Sequence, residues 1–369
     1  MHPAPPAPPP GLRRRALALG LGAWGLWPAL APGLPAQRLQ FPRDHGSHPE
    51  LRTEWWYITG HAEAGGRTWG FQVTFFRSRV DIAQGLQSAF AARQLLFAHA
   101  ALTDVQGRRL LHDQRIARAG FGVAQASERD TRIRLHDWTL ERSDASGAAN
   151  RYSARIEGLA FGLDLRFETT QPVLLQGQGG LSRKGPEATQ ASYYYSQPQL
   201  AVSGSLAVEG RRMPITAGTG RAWLDHEWSE ALMHPEAVGW DWIGMNLADG
   251  GALTAFRLRR ADGSALWAGG SWRAAGGAVQ VFGPESVVFT PGRVWASPQS
   301  GARYPVQWRV RTPAGAFEVR ALLDNQELDS SGSTGAIYWE GLSDLLDATG
   351  QPVGRGYLEM TGYAKPLRL

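Results

Sequence analysis

The residues best suited to chemistry lie in one short stretch near the middle of the chain. The segment Leu224–Glu230, of sequence LDHEWSE, is followed closely by Trp240-Asp241-Trp242. Carboxylates and imidazoles exchange protons near neutral pH, whereas indoles form apolar walls and stabilise cations through their π faces. This combination predicts proton chemistry on an apolar molecule. The candidates are Asp225, His226, Glu227, Trp228, Glu230, Trp240, Asp241 and Trp242.

The alternation of side chains along a strand divides this segment into two faces. In an extended conformation, Asp225 and Glu227 face one way, whereas His226 and Trp228 face the other. One hypothesis places His226 in an indole-lined cavity as a proton donor or ligand anchor, with Asp241 setting its tautomer and pKa. The other hypothesis makes His226 a buried polar tie between two domains. The sequence leaves both open, and Asp225 is a further candidate for the catalytic group.

Motifs of other reaction classes are missing from the sequence. No HExxH motif or comparable pair of histidines with a carboxylate occurs, so we expect no bound metal. The G-x-S-x-G motif of serine hydrolases is incomplete, because Arg273 replaces its last glycine and Ser333 lacks its first. The chain also lacks cysteine and a phosphate-binding loop that ends in Gly-Lys-Ser/Thr. We therefore expect no cofactor.

Short runs of alternating apolar and polar residues recur after the first 36 residues, separated by glycine-rich turns. This pattern is typical of β-barrels and sandwiches, so we predict an all-β protein. The segment Trp55–Phe71 aligns without a gap on Trp240–Phe256, including the turns Gly65-Gly66 and Gly250-Gly251. The alignment predicts the same hairpin at two places in the chain.

The repeat predicts two similar β domains, residues 37–230 and 231–369, that each open with this hairpin. In each opening strand, one face mixes aromatic with polar side chains, whereas a purely structural core would carry more Val, Ile and Leu. We therefore predict that these faces line barrel interiors that hold a ligand. The residues are Trp55, Tyr57, Thr59 and His61 in the first strand and Trp240, Trp242, Gly244 and Asn246 in the second.

For several other tyrosine and titratable residues, a structural role is the alternative to a role in ligand binding or catalysis. The run Tyr193-Tyr194-Tyr195 places Tyr195 either against a ligand or in an amphipathic edge strand. His99 lies in an apolar strand and is expected to be a core residue. Glu340 and Glu359 lie in aromatic segments near the C-terminus, which we expect to close the second barrel.

The first residues of the chain have the composition of an export signal. Arg13-Arg14-Arg15 precedes an apolar stretch, and Ala36 offers a small residue before a cleavage site. We predict that residues 1–36 direct the protein to the periplasm or outside the cell by the Sec or twin-arginine route, with an uncleaved membrane anchor as the alternative. Without these three arginines, the net charge falls from +5 to +2, which does not indicate nucleic-acid binding.

Six blocks of sequence occur in the order of a known family. They are HPELRTEWWYITGH (48–61), YYYSQPQL (193–200), GRAWLDHEWS (220–229), GWDWIGMNL (239–247), IYWEGLSD (337–344) and GYLEMTGY (356–363). They resemble the family that unites bacterial AttH-type proteins, also called predicted secreted hydrolases, with the carotenoid 1,2-hydratases. The resemblance implies two consecutive lipocalin-like (calycin) β-barrel domains packed side by side.

The resemblance also implies a reaction. In the hydratases, water adds to a terminal isoprenoid double bond without a redox cofactor, through a cation that indoles stabilise. His226 and Trp228 match the His-x-Trp motif of the family. The hydratases are thought to take the proton from an aromatic-x-Asp pair on a later strand, and Leu253–Arg257 has no acid there. The chain is therefore more similar to the AttH-type branch.

Together, these observations predict an exported enzyme of the hydratase or lyase kind that acts on an apolar isoprenoid or lipid-like molecule. The alternatives are a non-catalytic periplasmic carrier of such a ligand and a hydrolase. A ligand of this kind would bring the protein close to a membrane. The predicted catalytic residues are His226, Asp241 and Asp225, and the predicted substrate-binding residues are Trp228, Trp240, Trp242, Tyr57 and Tyr195.

Overall fold

The computed structural model describes Met1 and residues 33–144 and 150–367. Most of the predicted export signal, residues 1–36, lies outside the described residues. None of the helices in the described ranges has the length and apolar character needed to cross a membrane. The chain from Gly33 onward belongs to one compact unit.

The described residues form β-strands joined by turns, which confirms the all-β prediction. Three one-turn 3₁₀ helices occur at Arg43–His45, Asp81–Ala83 and Pro284–Ser286. Strands β1 to β14 are Thr53–Ala64, Arg67–Arg79, Gln94–Asp104, Arg109–Arg118, Ala124–Ala126, Arg132–Leu135, Trp138–Asp144, Asn150–Glu157, Phe161–Glu168, Leu174–Leu175, Leu181–Arg183, Ala191–Val208, Arg211–Pro214 and Gly220–Ala231. Strands β15 to β26 are Gly239–Leu247, Ala252–Arg259, Ala265–Arg273, Val279–Phe282, Val288–Pro291, Val294–Ala296, Arg303–Pro305, Gln307–Thr312, Gly315–Ala321, Glu327–Ser330, Ala336–Leu346 and Pro352–Met360.

The first sheet, sheet A, takes in β1 to β14 and curls into a nearly closed barrel. Its strand order is β4-β3-β2-β1-β14-β12-β9-β8-β7-β6-β5, and β6 returns to contact β3 and β4. Since side chains alternate along each strand, one face of every strand fills the barrel with apolar groups. Trp56, Phe75, Trp138, Phe167 and Leu224 belong to this core.

The second sheet, sheet B, has the strand order β18-β17-β16-β15-β26-β25-β23-β22-β19, with β24 paired to β25. It has its own apolar core, which includes Ile243, Met245, Trp308, Trp339 and Leu358. Two consecutive sheets with separate cores confirm the predicted architecture. The domain boundary at residue 230 stays a prediction.

Both predicted opening hairpins are present in the structure. Strand β1 pairs with β2, and β15 pairs with β16, each in antiparallel register. In the first turn, Gly65 and Gly66 have φ angles of 58° and 75°. A two-residue turn of type I′ requires these positive angles, which residues with a Cβ atom rarely adopt. The paired glycines therefore fix the register of the strand that carries Tyr57.

The sheets pack against each other through the outer faces of their opening strands. Tyr57, Trp223, Trp242 and Phe256 belong to an apolar cluster between the sheets. The prediction that the mixed aromatic and polar faces line barrel interiors is therefore wrong for Tyr57 and Trp242, because the alternate residues, such as Trp56, occupy the core. We call the space between the two sheets the seam.

Candidate functional site

A cavity of about 530 Å³ lies in the seam. Aromatic and aliphatic side chains supply most of its wall, which suits an apolar ligand. The apolar wall includes Trp55, Tyr57, Trp240, Trp242, Phe256 and Leu258. The polar groups include Gln72, Lys184, Asp225, Glu227, Glu340 and Glu359. Both sheets contribute carboxyl groups to one apolar space.

Asp225 stands in the wall from sheet A, directly opposite Tyr57 of the neighbouring strand. Its carboxylate accepts hydrogen bonds from the Tyr194 hydroxyl at 2.7 Å, the Ser196 hydroxyl at 2.5 Å and the Trp223 indole at 2.7 Å. Complete burial outweighs these three donors and raises the pKa of Asp225 to about 7. The carboxyl group can therefore exchange its proton near neutral pH, as a general acid or base must.

Glu227 lies two residues further along the same face and is ion-paired. The Lys184 ammonium is 2.9 Å from its carboxylate, and the Ser192 hydroxyl donates to it at 2.5 Å. The same ammonium lies 4.6 Å and 4.3 Å from the ring centroids of Tyr194 and Phe256, and these rings stabilise its charge. Glu227 and Lys184 thus form a fixed ion pair beside Asp225.

The wall from sheet B carries two carboxyl groups side by side. Glu340 of β25 is paired in register with Glu359 of β26, which lies opposite Trp242. Burial, and then the charge of Glu359, raises the pKa of Glu340 well above its usual value. Burial also raises the pKa of Glu359 to about 7. Two neighbouring carboxyl groups cannot both ionise cheaply in a desolvated site, so the pair holds a proton at neutral pH.

Three polar atoms of the cavity wall have no hydrogen-bond partner among the described residues. They are the Tyr57 hydroxyl oxygen, Gln72 Oε1 and Glu340 Oε1. A buried polar atom without a partner is costly, so native proteins seldom keep one without a reason. A ligand that carries a hydroxyl group would complete these hydrogen bonds. The cavity therefore combines an apolar wall with a few polar groups that could orient a ligand.

The charge balance of the cavity determines what it can do. Of its five carboxyl groups, Glu54 pairs with Arg77 and Glu227 pairs with Lys184 within the part of the chain that the structure describes. The other three, Asp225, Glu340 and Glu359, all have raised pKa values, chiefly because they are buried. The site thus offers both a stored proton and carboxylates that ionise near pH 7. This arrangement suits protonation of an apolar molecule and the addition or loss of water.

His226 lies on the opposite face of β14, buried in the core of sheet A rather than in the cavity wall. Its Nε2 is 2.9 Å from Glu54 Oε1, its Nδ1 is 3.2 Å from the Tyr195 hydroxyl, and its ring stacks on Trp56. Burial lowers the pKa of His226 to about 4, so the imidazole is neutral at pH 7. The structure thus groups His226, Tyr195 and Trp228 together, away from the cavity lining.

Glu54 is the centre of this buried network. Its carboxylate accepts hydrogen bonds from His48 Nδ1 at 2.8 Å, Arg77 Nε at 2.8 Å and Ser47 Oγ at 2.9 Å. His48, Glu54 and His226 offer three potential metal ligands within 4.8 Å of one another. Their contacts of 2.8 and 2.9 Å are ordinary hydrogen-bond lengths, and Arg77 balances the carboxylate charge. We therefore interpret the cluster as a structural hydrogen-bond network.

Asp241 also lies on the face of its strand that points away from the seam. Its carboxylate pairs with Arg257 Nε at 2.7 Å and accepts a hydrogen bond from the Tyr363 hydroxyl at 2.8 Å. These partners hold the carboxylate in a buried ion-pair cluster. Its neighbours Trp240 and Trp242 point the other way and line the cavity. Strand alternation thus separates the predicted acid from the two indoles.

A histidine and a serine also meet at the rim of the cavity. Ser333 Oγ is 2.9 Å from His99 Nε2, and the Tyr338 hydroxyl is 2.9 Å from His99 Nδ1. Ser333 also donates to Gln114 Oε1 at 2.6 Å, and that amide is oriented by its Nε2 bond to the Asp329 carbonyl. The consistent assignment has Tyr338 donating to His99 and His99 donating to Ser333. His99 therefore does not act as a base toward Ser333.

Because Ser333 is not activated, we expect a fluorophosphonate reagent for active serines to leave the folded protein unlabelled. Intact-mass measurement after incubation checks this result. The matched variant Ser333→Ala should give the same unmodified spectrum apart from the substitution. An adduct on Ser333 that the variant lacks would contradict the hydrogen-bond assignment and restore the hydrolase hypothesis.

Sequence reasoning missed the acids that sheet B contributes. Glu340 and Glu359 lie on strands that we expected only to close the second barrel. A signal was present, because each acid follows a tyrosine by two residues, as in Tyr338-Trp339-Glu340 and Tyr357-Leu358-Glu359. Strand alternation places the tyrosine and the acid on one face, and an acid on an aromatic face is unusual in a structural core.

Comparisons with known proteins agree with this architecture. The AttH-like family model matches residues 32–363. The structure of a putative AttH from Nitrosomonas europaea is 47% identical in sequence, covers 90% of this chain and 100% of its own, and has a TM-score of 0.82. A search of curated proteins finds no match.

Two further solved structures share the fold at low sequence identity. Kievitone hydratase from Nectria haematococca is 14% identical, with 89% of this chain and 94% of the other covered and a TM-score of 0.66. CghA in complex with Sch210972 is 12% identical, with 84% and 88% covered and a TM-score of 0.54. At these identities, the similarity concerns the fold alone. The family match and the 47% identical structure each span nearly the whole chain, and the protein therefore belongs to the AttH-like family.

Proposed function

We propose that this protein is a cofactor-independent hydratase or lyase that acts on an apolar, isoprenoid or lipid-like molecule in the seam cavity. The observation that carries the proposal is the pair Glu340 and Glu359, whose pKa values burial raises beside a largely apolar wall. A carboxylic acid that keeps its proton at neutral pH can donate it to an alkene or to a departing hydroxyl group. The fold shared with kievitone hydratase supports the proposal.

In the hydration direction, the Glu340 carboxyl group donates its proton to one carbon of the double bond, whose π electrons form the new C–H bond. The other carbon becomes a carbocation, which the π faces of Trp240, Trp242 and Tyr57 stabilise. A water oxygen then bonds to this carbon and passes a proton to the carboxylate of Glu359. Return of that proton to Glu340 restores the acid, and the reverse sequence removes water.

This mechanism reassigns the predicted catalytic roles. Asp225 faces the cavity and can act as an alternative base to Glu359, because its pKa is also about 7. His226 and Asp241 act as structural residues in this proposal. The roles of Tyr57, Trp240 and Trp242 in substrate binding are retained, whereas Trp228 and Tyr195 are assigned to the core of sheet A.

The proposal is tested by incubating the purified protein, without added cofactor, with isoprenoid alkenes and their hydroxylated counterparts in ¹⁸O-labelled water. We expect one substrate class to gain or lose one water, with the label in the hydrated product detected by mass spectrometry. The absence of turnover in both directions would contradict the proposal. Recovery of an unchanged lipid by native mass spectrometry would then support a carrier.

The pH dependence of kcat/KM is expected to be bell-shaped. The rate rises with pH as the base ionises, because Glu359 and Asp225 both have pKa values of about 7. The rate falls again at higher pH as Glu340 loses its proton, since burial raises the pKa of this acid. Steady-state kinetics across the neutral range checks this profile. A rate independent of pH in this range would exclude two titrating carboxyl groups.

We also propose that the protein acts in the periplasm or outside the cell. The arginine cluster at Arg13-Arg14-Arg15 and the apolar stretch after it support export. Cell fractionation of the full-length chain in a bacterial host tests the proposal. Recovery of the protein only from the cytoplasm would contradict it.

A further inference from the structure

An exposed apolar patch lies on the loop between β2 and β3. Within residues 81–93, Ile82 is 92% exposed, Leu86 is 52% exposed and Phe90 is 72% exposed. The Phe90 ring stacks on Phe121, which is 59% exposed, at a centroid distance of 5.5 Å. We call these four side chains the apolar patch. A soluble protein seldom clusters large apolar groups in water without a binding partner.

The loop is held in shape by its polar groups rather than by its apolar side chains. Gln84 Nε2 donates to the Val80 carbonyl at 2.9 Å and to the Arg93 carbonyl at 2.8 Å. The Arg93 guanidinium in turn donates to the Leu86 carbonyl. The exposed apolar side chains therefore add little to the folding of the loop. They are free to contact another surface.

A strip of apolar side chains connects the patch with the cavity. Phe76, Phe97 and Ile116 are direct neighbours in register on β2, β3 and β4. Phe76 and Phe97 line the cavity, whereas Ile116 on the edge strand is exposed. Arg118 follows on the same face of β4, and its guanidinium lies 4.1 Å from the Phe121 ring centroid. The patch thus lies at the outer end of an apolar path into the seam.

Arg118 gives the patch a positive charge. Its guanidinium lies against both aromatic rings of the patch, 5.5 Å from the Phe90 centroid and 4.1 Å from the Phe121 centroid. Asp81, the acid of the loop, is already paired with Arg52 at 2.7 Å and with Arg79 at 2.8 Å. A phospholipid offers the matching chemistry, because its acyl chains receive apolar side chains and its phosphate oxygens accept from a guanidinium.

We propose that the apolar patch and Arg118 dock the protein on an anionic phospholipid surface, so that the ligand enters the cavity along this strip. The proposed docking is inferred from the patch alone, whereas the proposed path of the ligand rests on the proposed function. A lipid surface fits better than a protein partner because the patch is a projecting loop with one neighbouring side chain, not a broad face. An apolar ligand also partitions into lipid rather than water.

Sedimentation with vesicles tests the docking. We expect binding to vesicles of equal parts phosphatidylglycerol and phosphatidylcholine, and weaker binding to phosphatidylcholine alone. The double variant Phe90→Ser, Phe121→Ser should bind the vesicles at least about tenfold more weakly than the wild type, because two aromatic rings no longer enter the lipid. Arg118→Gln should lower binding to the mixed vesicles about fivefold and lower binding to phosphatidylcholine by a smaller factor, because phosphatidylcholine has a phosphate but no net charge.

The matched control is Val279→Ser, which removes an exposed apolar side chain from sheet B and should bind like the wild type. All variants keep the same N-terminus, so any contribution from residues 1–36 cancels. Equal vesicle binding by the wild type and the double variant would overturn the proposal. So would a wild type that ignores vesicles and instead forms dimers that the double variant loses.

The two proposals fail in different ways. If the protein hydrates a dissolved substrate but does not bind vesicles, the proposed function is supported and the docking proposal is overturned. A protein that binds vesicles through Phe90 and Phe121 but turns over no substrate retains the docking and loses the enzymatic proposal.

Discussion

Replacement of one buried acid, Glu340→Gln, is expected to lower turnover by orders of magnitude in a protein that still folds and still binds its ligand. Glutamine has nearly the same shape but cannot donate an acidic proton to an alkene or a leaving hydroxyl group. General acid catalysis contributes about 10²- to 10⁴-fold to rates, so kcat should fall by about this factor. Quenching of the tryptophan fluorescence of the protein, to which Trp240 and Trp242 in the cavity wall contribute, measures ligand binding independently, and the dissociation constant should change little.

The stability of Glu340→Gln separates a catalytic role from a structural one. Burial raises the pKa of Glu340, so the folded protein holds a proton that the unfolded chain releases above its ordinary pKa. The free energy of unfolding of the wild type therefore falls as pH rises from the unfolded pKa of Glu340 toward its raised folded pKa. Glutamine has no proton to release, so the variant does not lose this stability. The variant should unfold at the same or a higher temperature at pH 8. The exposed control Glu285→Gln should change neither kcat nor the unfolding temperature. Full activity in Glu340→Gln would exclude Glu340 as the acid.

The largest expected effect on stability is that of Glu54→Ala. The substitution removes the acceptor of His48, His226 and Arg77 at once. The Arg77 side chain is only 2% exposed and would be left as a buried charge without its partner. Removal of one partner from a buried ion pair costs about 3–5 kcal/mol, so the free energy of unfolding should fall by about this amount. Urea unfolding followed by tryptophan fluorescence measures the change.

The pH dependence of the same measurement identifies the cause. Burial alone would raise the pKa of Glu54, but hydrogen bonds from His226 and His48 hold it well below its ordinary value. Its stabilising contribution is therefore complete above the unfolded pKa and is lost as the pH falls through the folded pKa. The free energy of unfolding of the wild type should therefore fall in acid by this contribution. That of Glu54→Ala should show no such fall, because the variant has no carboxylate to protonate. Glu50→Ala, at an exposed position nearby, should behave like the wild type.

The sequence by itself determined the strands, the turns and the family. Period-two alternation defined the two faces of Leu224–Glu230, and the paired glycines at Gly65-Gly66 placed a hairpin turn that the structure confirms. These features depend on neighbours along the chain, since backbone conformation and side-chain alternation are local properties. The ordered blocks of aromatic and acidic residues were sufficient to indicate the AttH-like family, which the comparisons confirm.

Only the tertiary structure decided which face of each strand meets a ligand. Alternation separated Asp225 from His226, but it could not show that the acid faces the seam and that the histidine faces the core of sheet A. The pairing of Glu340 with Glu359 is also a long-range event, because it depends on how β25 and β26 align and on the packing of sheet B against sheet A. Burial between the two sheets is what raises these pKa values, and burial belongs to the packed molecule rather than to any segment of its sequence.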